Sequence, residues 1–310
     1  MDAVAILKLF RFPLVFTAIA DSVTGRLLMS GDLRSAEPTL GLLALASAGL
    51  YFFGMSLNDI ADRNRDKEIA PGRMLPSGRL SLVAARAACG SALALSLAAI
   101  CLIRESPLPQ RLACWALVVV SISAYNLWAK QPPVMGLVRA GNLLLGVVSV
   151  LDLGAARMGL PYVVGVLLPT FTYVTALTFV STLEDGVPDR RQLAVGAAFM
   201  VLGAGLAAFV SPMTEHLRFY NSENPAVIFG PGEPKWVSAP FSALLAAWIL
   251  FRAWKAVDKK GVMLLVRDGV GGLIVLDAAL LASYELGPAC LVAGLALPAI
   301  LSVAVFKKLA

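Results

Sequence analysis

Apolar runs of about 20 residues alternate with charged connections along the whole chain. A helix of that length crosses the hydrocarbon core of a bilayer. The pattern predicts ten membrane-spanning helices, at residues 4–29, 40–58, 82–104, 110–129, 134–155, 160–183, 191–211, 237–257, 262–284 and 287–306. We therefore expect one all-α domain, residues 1–310, built as a polytopic transmembrane helical bundle.

The first run has an alternative interpretation as a cleaved signal peptide. Two basic residues, Lys8 and Arg11, precede a short apolar stretch that ends in the small-x-small pattern of residues 18–20. The apolar character continues to Leu28, and this favours a retained helix.

Composition supports the membrane assignment and excludes several classes of site. The chain is 58% hydrophobic and 15% charged, whereas soluble domains average about 45–50% apolar and about 25% charged residues. The 4 cysteines stand singly in apolar stretches and there is 1 histidine. A disulfide framework, a thiolate metal site and a histidine-based metal centre are therefore not expected.

The basic residues orient the bundle. Most of the 26 lysines and arginines fall in alternate connections, and such connections are retained on the cytoplasmic side. We therefore expect a multi-pass protein of the cell (inner) membrane with both termini cytoplasmic. The net charge of +6 is accounted for by these flanks, and we expect no nucleic-acid partner.

A first acidic cluster closes the second apolar run, in the string Asn-Asp-Ile-Ala-Asp-Arg-Asn-Arg-Asp at residues 58–66. At about 100° per residue, Asp59, Asp62 and Asp66 project from one helix face. Carboxylates packed this closely need a cation or neighbouring bases. The alternative is a solvated interfacial turn whose acids are neutralised by nearby bases, namely Arg63, Arg65 and Lys67.

A second acidic cluster follows the sixth run, at residues 183–191, and contains Asp185 and Asp189. Because an even number of predicted spans separates the two clusters, both emerge on the same side, which the charge pattern makes cytoplasmic. The two clusters can therefore face one cleft. Gly186 and Pro188 interrupt the helix, so a simple interhelical turn is the alternative.

Two opposed acidic clusters at a membrane face favour a magnesium site. Mg²⁺ takes oxygen ligands and is commonly held by one or two carboxylates together with substrate phosphates. The interleaved arginines and lysines are suited to the remaining phosphate oxygens. The pattern therefore predicts Mg²⁺ bound with a diphosphate whose lipid tail lies between the helices.

These residues resemble the UbiA superfamily of intramembrane prenyltransferases. Residues 58–66 match its first motif, Asn-Asp-x-x-Asp-x-x-x-Asp, and residues 73–79 are similar to its Arg-Pro-Leu-Pro-Ser-Gly segment. Asp185 and Asp189 fill the last two acidic positions of the second motif, where Thr182 stands at the first. The wording of the motifs is most similar to the EboC branch. The family usually has nine helices, so we expect nine or ten.

The resemblance implies Mg²⁺-dependent transfer of a prenyl group from an isoprenyl (allylic) diphosphate to a small-molecule acceptor, aromatic or polyol, with release of diphosphate. The implied metal-binding residues are Asn58, Asp59, Asp62, Asp66, Asp185 and Asp189. Asp62, Asp66, Asp185 and Asp189 are the implied catalytic residues among them. The implied contacts to substrate are Arg11, Arg63, Lys67, Tyr125, Lys130, Arg139 and Asn142.

Two other classes of membrane protein are weighed against this one. A CDP-alcohol phosphotransferase also places aspartates and metal at a membrane face, but its Asp-Gly-x-x-Ala-Arg signature is absent. A transporter would use intramembrane acids, here Asp152, Asp268 and Asp277, to line a path. No convincing five-plus-five repeat supports it. A UbiA-like protein with altered chemistry is the remaining alternative.

Overall fold

The computed structural model describes residues 3–30, 33–128, 130–150, 160–185, 189–214, 238–282 and 286–308, and no β-strand occurs in these ranges. The helices are α1 (Ala3–Leu9), α2 (Val15–Ser30), α3 (Leu33–Ala61), α4 (Arg63–Ile69), α5 (Leu82–Leu102), α6 (Leu108–Leu127), α7 (Pro132–Val148), α8 (Leu160–Ser181), α9 (Arg190–Thr214), α10 (Ser238–Lys255), α11 (Lys259–Ala282), α12 (Leu286–Gly294) and α13 (Ala296–Lys308).

The helices follow the predicted apolar runs, with two breaks that the pattern did not show. A 3-10 turn at Phe12–Leu14 separates α1 from α2, and Pro13 lies in it because proline fits the first turn of a helix but not its interior. The last run is interrupted at Leu295, between α12 and α13. Both predicted spans are therefore helical but not continuous.

The bundle is a multi-pass membrane protein. Among the described residues, seven helices are long and apolar enough to cross a membrane. Their outer faces are apolar, with exposed side chains such as Leu244, Trp254, Leu297, Ile300 and Leu301. The span at Phe12–Met29 is 72% buried within the bundle, whereas that at Leu286–Val303 is 17% buried. Helix α2 is thus central and the C-terminal helices are peripheral.

Helix α7 joins the two halves of the hydrophobic core. Leu143 and Val147 belong to a cluster formed mainly by α2, α8, α9, α10 and α11. Leu145 and Val148 belong to a second cluster formed mainly by α3, α5 and α6. Side chains of α7 therefore pack into both hydrophobic clusters.

Glycines set the distance between α2 and α7. A Cβ atom at Gly146 would lie 2.0 Å from the carbonyl oxygen of Ser22, and one at Gly25 would lie 2.0 Å from that of Leu143. Real Cβ atoms do not approach backbone so closely, so only glycine allows this contact. The close approach brings Arg139 of α7 beside Asp21 of α2.

Candidate active site

The first acidic motif lies where α3 passes into α4. Asp62 occupies the break between them, with φ −82° and ψ 0°. Its backbone N–H donates to the carbonyl of Asn58 at 2.9 Å, and its own carbonyl accepts from the N–H of Asp66 at 2.8 Å. The helical hydrogen-bonding repeat therefore continues through the break and keeps the acids of residues 58–66 in helical spacing.

Each acid of this motif is paired with a cation from a different segment. The pairs are Arg11–Asp59 at 3.3 Å, Arg73–Asp66 at 2.6 Å, and Lys130–Asp62. Lys130 Nζ also donates to Asn58 Oδ1 at 3.4 Å. The pairing means that opposite charges stand in equal number where a metal and a diphosphate are expected. We call these seven residues, Arg11, Asn58, Asp59, Asp62, Asp66, Arg73 and Lys130, the mouth cluster.

Exposure within the mouth cluster is uneven. The side chains of Arg11, Arg73 and Lys130 are 40%, 39% and 37% exposed, whereas that of Asp66 is 2% exposed. The carboxylates are thus held by the fold and the cations reach them from the solvent side. These cations can change partners when another cation, such as a bound metal ion, compensates the buried carboxylates in their place.

Arg11 adopts a backbone conformation that is costly for any residue other than glycine. Its φ is 45° and its ψ 48°, in the left-handed region, and it is the one described non-glycine residue with positive φ. Tyr51 Oη donates to its carbonyl oxygen at 3.3 Å. Strain of this kind persists where the surroundings enforce it, typically at functional sites. The break between α1 and α2 therefore aims Arg11 at the motif.

A cavity of about 350 Å³ opens beside the mouth cluster. Its walls are mainly apolar, with side chains from α3, α6, α8 and α11, for example Leu50, Ile122, Leu177 and Val270. Arg11, Asn58 and Tyr125 line it together with Arg139 and Asn142. Five of the residues predicted from the sequence thus meet at one cavity.

Arg139 and Asn142 lie in a buried polar group on the cavity wall. Arg139 Nε and Nη2 lie 2.9 Å and 3.1 Å from the two carboxylate oxygens of Asp21. Asn142 Nδ2 donates to Ala18 O at 2.7 Å and to Ser47 Oγ at 2.8 Å. We call Asp21, Arg139, Asn142 and Asp277 the interior cluster, since Asp277 stands within hydrogen-bonding reach of Asp21.

The second acidic motif is less completely described. A 3-10 turn at Thr182–Asp185 follows α8, but the side chain of Asp185 and residues 186–188 lie outside the described part of the chain. Asp189 is exposed, and its Oδ1 accepts from the backbone N–H of Arg191 at 2.8 Å. Asp189 therefore caps the start of α9 and remains accessible from solvent. Thr182, at the position of the missing acid, donates to Phe179 O at 2.7 Å.

Three predicted substrate contacts do not line the described cavity, namely Arg63, Lys67 and Lys130, and of these Lys130 reaches the motif through Asp62. Arg63 and Lys67 belong to α4, Lys67 is exposed, and neither is among the residues that line the described cavity. Arg73, which was not among the predicted contacts, donates to Asp66 at 2.6 Å. The sequence signal for Arg73 was its position at the head of the segment at residues 73–79.

The intramembrane acids have different surroundings. Asp268 pairs with Arg252 and Arg267, whereas Asp277 packs against Asp21. Asp152 lies outside the described residues. These positions do not form the shared path that a transporter would need, as far as the described residues extend.

The donor set of the mouth suits a hard divalent ion, although no group of three potential ligands converges among the residues that the structure describes. Asn58, Asp59, Asp62 and Asp66 offer only oxygen ligands on the side of the cavity mouth. One or two carboxylates and the phosphates of a substrate suffice for Mg²⁺. The residues present therefore fit that ion when it arrives with a phosphorylated ligand.

Comparison with known proteins decides the family. A model of the UbiA prenyltransferase family matches residues 18–262, most of the chain. This chain belongs to that family. The match begins in α2 and extends into α11, so it includes both acidic motifs and every member of the two clusters except Arg11 and Asp277. No curated protein matches the chain.

Solved structures of the family share the fold. A digeranylgeranylglyceryl phosphate synthase is 19% identical, with a TM-score of 0.58, and the alignment covers 90% of this chain and 97% of that one. A UbiA homologue from Archaeoglobus fulgidus bound to GPP and Mg²⁺ is 15% identical, with a TM-score of 0.55 and coverage of 88% and 99%. A homologue from Aeropyrum pernix K1 is 19% identical, with a TM-score of 0.58 and coverage of 86% and 96%.

Proposed function

We propose that this UbiA family member transfers a prenyl group from an isoprenyl diphosphate to a small-molecule acceptor, in a Mg²⁺-dependent reaction that releases diphosphate. The observation that carries the proposal is the mouth cluster. Three acids that follow a membrane span are each paired with a partly exposed cation, at the opening of an apolar cavity. A diphosphate joined to an apolar chain requires both features.

The metal would be held by the oxygen ligands of the two motifs. These are Asn58, Asp59, Asp62 and Asp66 of the first motif, with Asp185 and Asp189 of the second. When bound, Mg²⁺ would neutralise negative charge on the departing diphosphate. The Archaeoglobus fulgidus homologue was solved with GPP and Mg²⁺, which supports a ligand of this class here.

The cations of the mouth cluster would bind the diphosphate itself. Arg11, Arg73 and Lys130 now neutralise the carboxylates, and in the proposed bound state they turn to phosphate oxygens. Guanidinium groups make bidentate hydrogen bonds to phosphate and lysine supplies a point charge. Cations placed in advance stabilise the charge that develops on the leaving group.

The cavity would receive the prenyl chain. Its apolar walls match an isoprenoid, and they exclude water that would otherwise capture the allylic cation. Tyr125, in the last turn of α6, lines the cavity, and its ring can pack against the first prenyl unit there. We propose that this mouth faces the cytoplasm, because most cationic connections fall on that side.

The experiment is thermal unfolding of the detergent-purified chain with dimethylallyl, geranyl and longer allylic diphosphates, with and without Mg²⁺. We expect stabilisation that needs both ligands, amounting to about 2.7 kcal/mol at 100 times the Kd. Asp62→Ala should abolish it. Glu68→Ala is the matched control, since Glu68 is an exposed acid of α4 outside the cluster.

Two results would count against the proposal. Equal stabilisation without Mg²⁺ would contradict the metal-dependent site. The same stabilisation in Asp62→Ala as in Glu68→Ala would remove the first motif from donor binding. Asp189→Ala tests the second motif in the same assay, and we expect it to weaken the shift.

A further inference from the structure

We infer that the acceptor is an uncharged, hydroxyl-bearing molecule that binds against Arg139 in the interior of the cavity. This inference rests on the proposed function and narrows its acceptor to one chemical class. It follows from how the charges on the cavity wall are already compensated.

Two cationic side chains line the described part of the cavity wall, Arg11 and Arg139. Arg11 pairs with Asp59 and belongs to the mouth cluster, where the diphosphate is proposed to bind. Arg139 is therefore the one described wall cation that remains for an acceptor. An anionic acceptor, such as a carboxylate, would need its charge.

That charge is already compensated. Arg139 meets both carboxylate oxygens of Asp21, and its Nη2 also donates to the carbonyl of Thr17 at 2.7 Å. Asp277 is fully buried beside Asp21, and no donor among the described residues reaches either of its oxygens. One guanidinium thus faces two carboxyl groups. The interior cluster carries no net positive charge, whether or not the two carboxyls share a proton.

An anion placed there would be buried beside a guanidinium whose charge Asp21 already balances. Burying a charge without compensation is costly, so a wall of this kind discriminates against anions. Asn142 offers no alternative donor, because its Nδ2 is engaged by Ala18, Asp21 and Ser47. The cluster therefore selects against carboxylate and phosphate groups.

An uncharged hydroxyl satisfies the same wall. The hydroxyl groups of Thr17, Ser47 and Ser181 line the cavity, and each already donates to a backbone carbonyl. Their oxygens can still accept a hydrogen bond, and an apolar group would leave them without a partner. A ligand hydroxyl can donate to these oxygens, whereas a carboxylate has no donor. Phenols and polyols without ionised groups fit this environment.

The test compares matched probes that differ in one charge. The full chain in detergent is saturated with Mg²⁺ and geranyl thiodiphosphate, a donor analogue that reacts slowly. Calorimetric titration then gives Kd values for 4-hydroxybenzyl alcohol against 4-hydroxybenzoate and for glucose against glucuronate. We expect the uncharged member of at least one pair to bind at least about tenfold more tightly than the charged one.

The double variant Asp21→Asn/Asp277→Asn gives a second, independent readout. It keeps the shape of both side chains and removes both carboxyl groups that can compensate Arg139, so we expect 4-hydroxybenzoate or glucuronate to gain about tenfold in affinity. Asp268→Asn is the matched control, because Asp268 is another aspartate of a membrane helix but pairs with Arg252 away from the cavity. If the double variant does not fold, the comparison of charged and uncharged probes on the wild-type chain decides the inference.

The inference is overturned if the charged probes bind the wild-type chain as tightly as the uncharged ones, or if no uncharged probe binds. It is also overturned if the folded double variant gains no affinity for either anion. Failure of the thiodiphosphate to bind with Mg²⁺ would instead count against the proposed function. The donor titration, run first, separates the two.

Discussion

The two charged clusters of the cavity are built from the same residue types but differ in their access to solvent. In the mouth cluster the cations are more than a third exposed, and each reaches an acid through one contact. In the interior cluster the Asp21 side chain is fully buried and that of Arg139 is 10% exposed, and Arg139 meets both oxygens of its partner.

The difference separates exchangeable from structural ion pairs. The Lys130–Asp62 pair, with side chains 37% and 16% exposed, is close to a surface pair, which contributes about 0–1 kcal/mol, so a ligand can replace one partner at little cost. Removing one partner of a buried pair costs about 3–5 kcal/mol, because the other charge remains uncompensated. The mouth can therefore exchange its contacts for those of a ligand, whereas the interior holds α2 against α7.

The largest expected effect comes from breaking the interior pair. Arg139→Ala leaves the buried carboxyl groups of Asp21 and Asp277 without a cation, and we expect the free energy of unfolding to fall by about 3–5 kcal/mol. Denaturant titration of the purified protein in mild detergent measures the change. Asp62→Ala is the comparison at the mouth, and its loss should not exceed about 1 kcal/mol. Equal losses in the two variants would contradict the distinction between the clusters.

Much of the fold was predictable because its signals are local. The apolar runs, the charged connections and the helical spacing of Asp59, Asp62 and Asp66 are read directly from neighbouring residues. The breaks at Phe12–Leu14 and Leu295 were not predicted, since the hydrophobic pattern continues through both. The prediction of an all-α transmembrane bundle of the UbiA family is confirmed.

The next effect concerns the contact that positions the interior cluster. Gly146→Ala would place a Cβ atom against the backbone of Ser22, and helices α2 and α7 must then move apart. We expect a loss of about 1–3 kcal/mol in unfolding free energy, typical of overpacking. Gly90→Ala in α5 is the control, because nothing lies within 4 Å of its added Cβ. A loss in Gly90→Ala as large as in Gly146→Ala would show that the spacing of α2 and α7 is not special.

The site was harder to predict than the fold because its partners are distant in sequence. Asp21 is 118 residues from Arg139, so no local motif predicts that the two side chains pair. The small residues that allow the contact are also common wherever two helices pack. Arg139 and Asn142 were predicted as substrate contacts on motif likeness. The structure places them at the cavity wall and adds the partners that restrict what they can bind.

The smallest effect on stability is expected at the mouth, from Lys130→Gln. The ion pair with Asp62 is partly exposed, so unfolding free energy without ligand should change by no more than about 1 kcal/mol. The loss should appear instead with ligand, as a smaller stabilisation by geranyl diphosphate and Mg²⁺, since a phosphate contact is removed. Thermal unfolding with and without both ligands measures the two quantities in one series. If Lys130→Gln lowers stability without ligand and keeps the full ligand-induced shift, Lys130 has a structural role. The proposal that it exchanges Asp62 for a phosphate group would then be wrong.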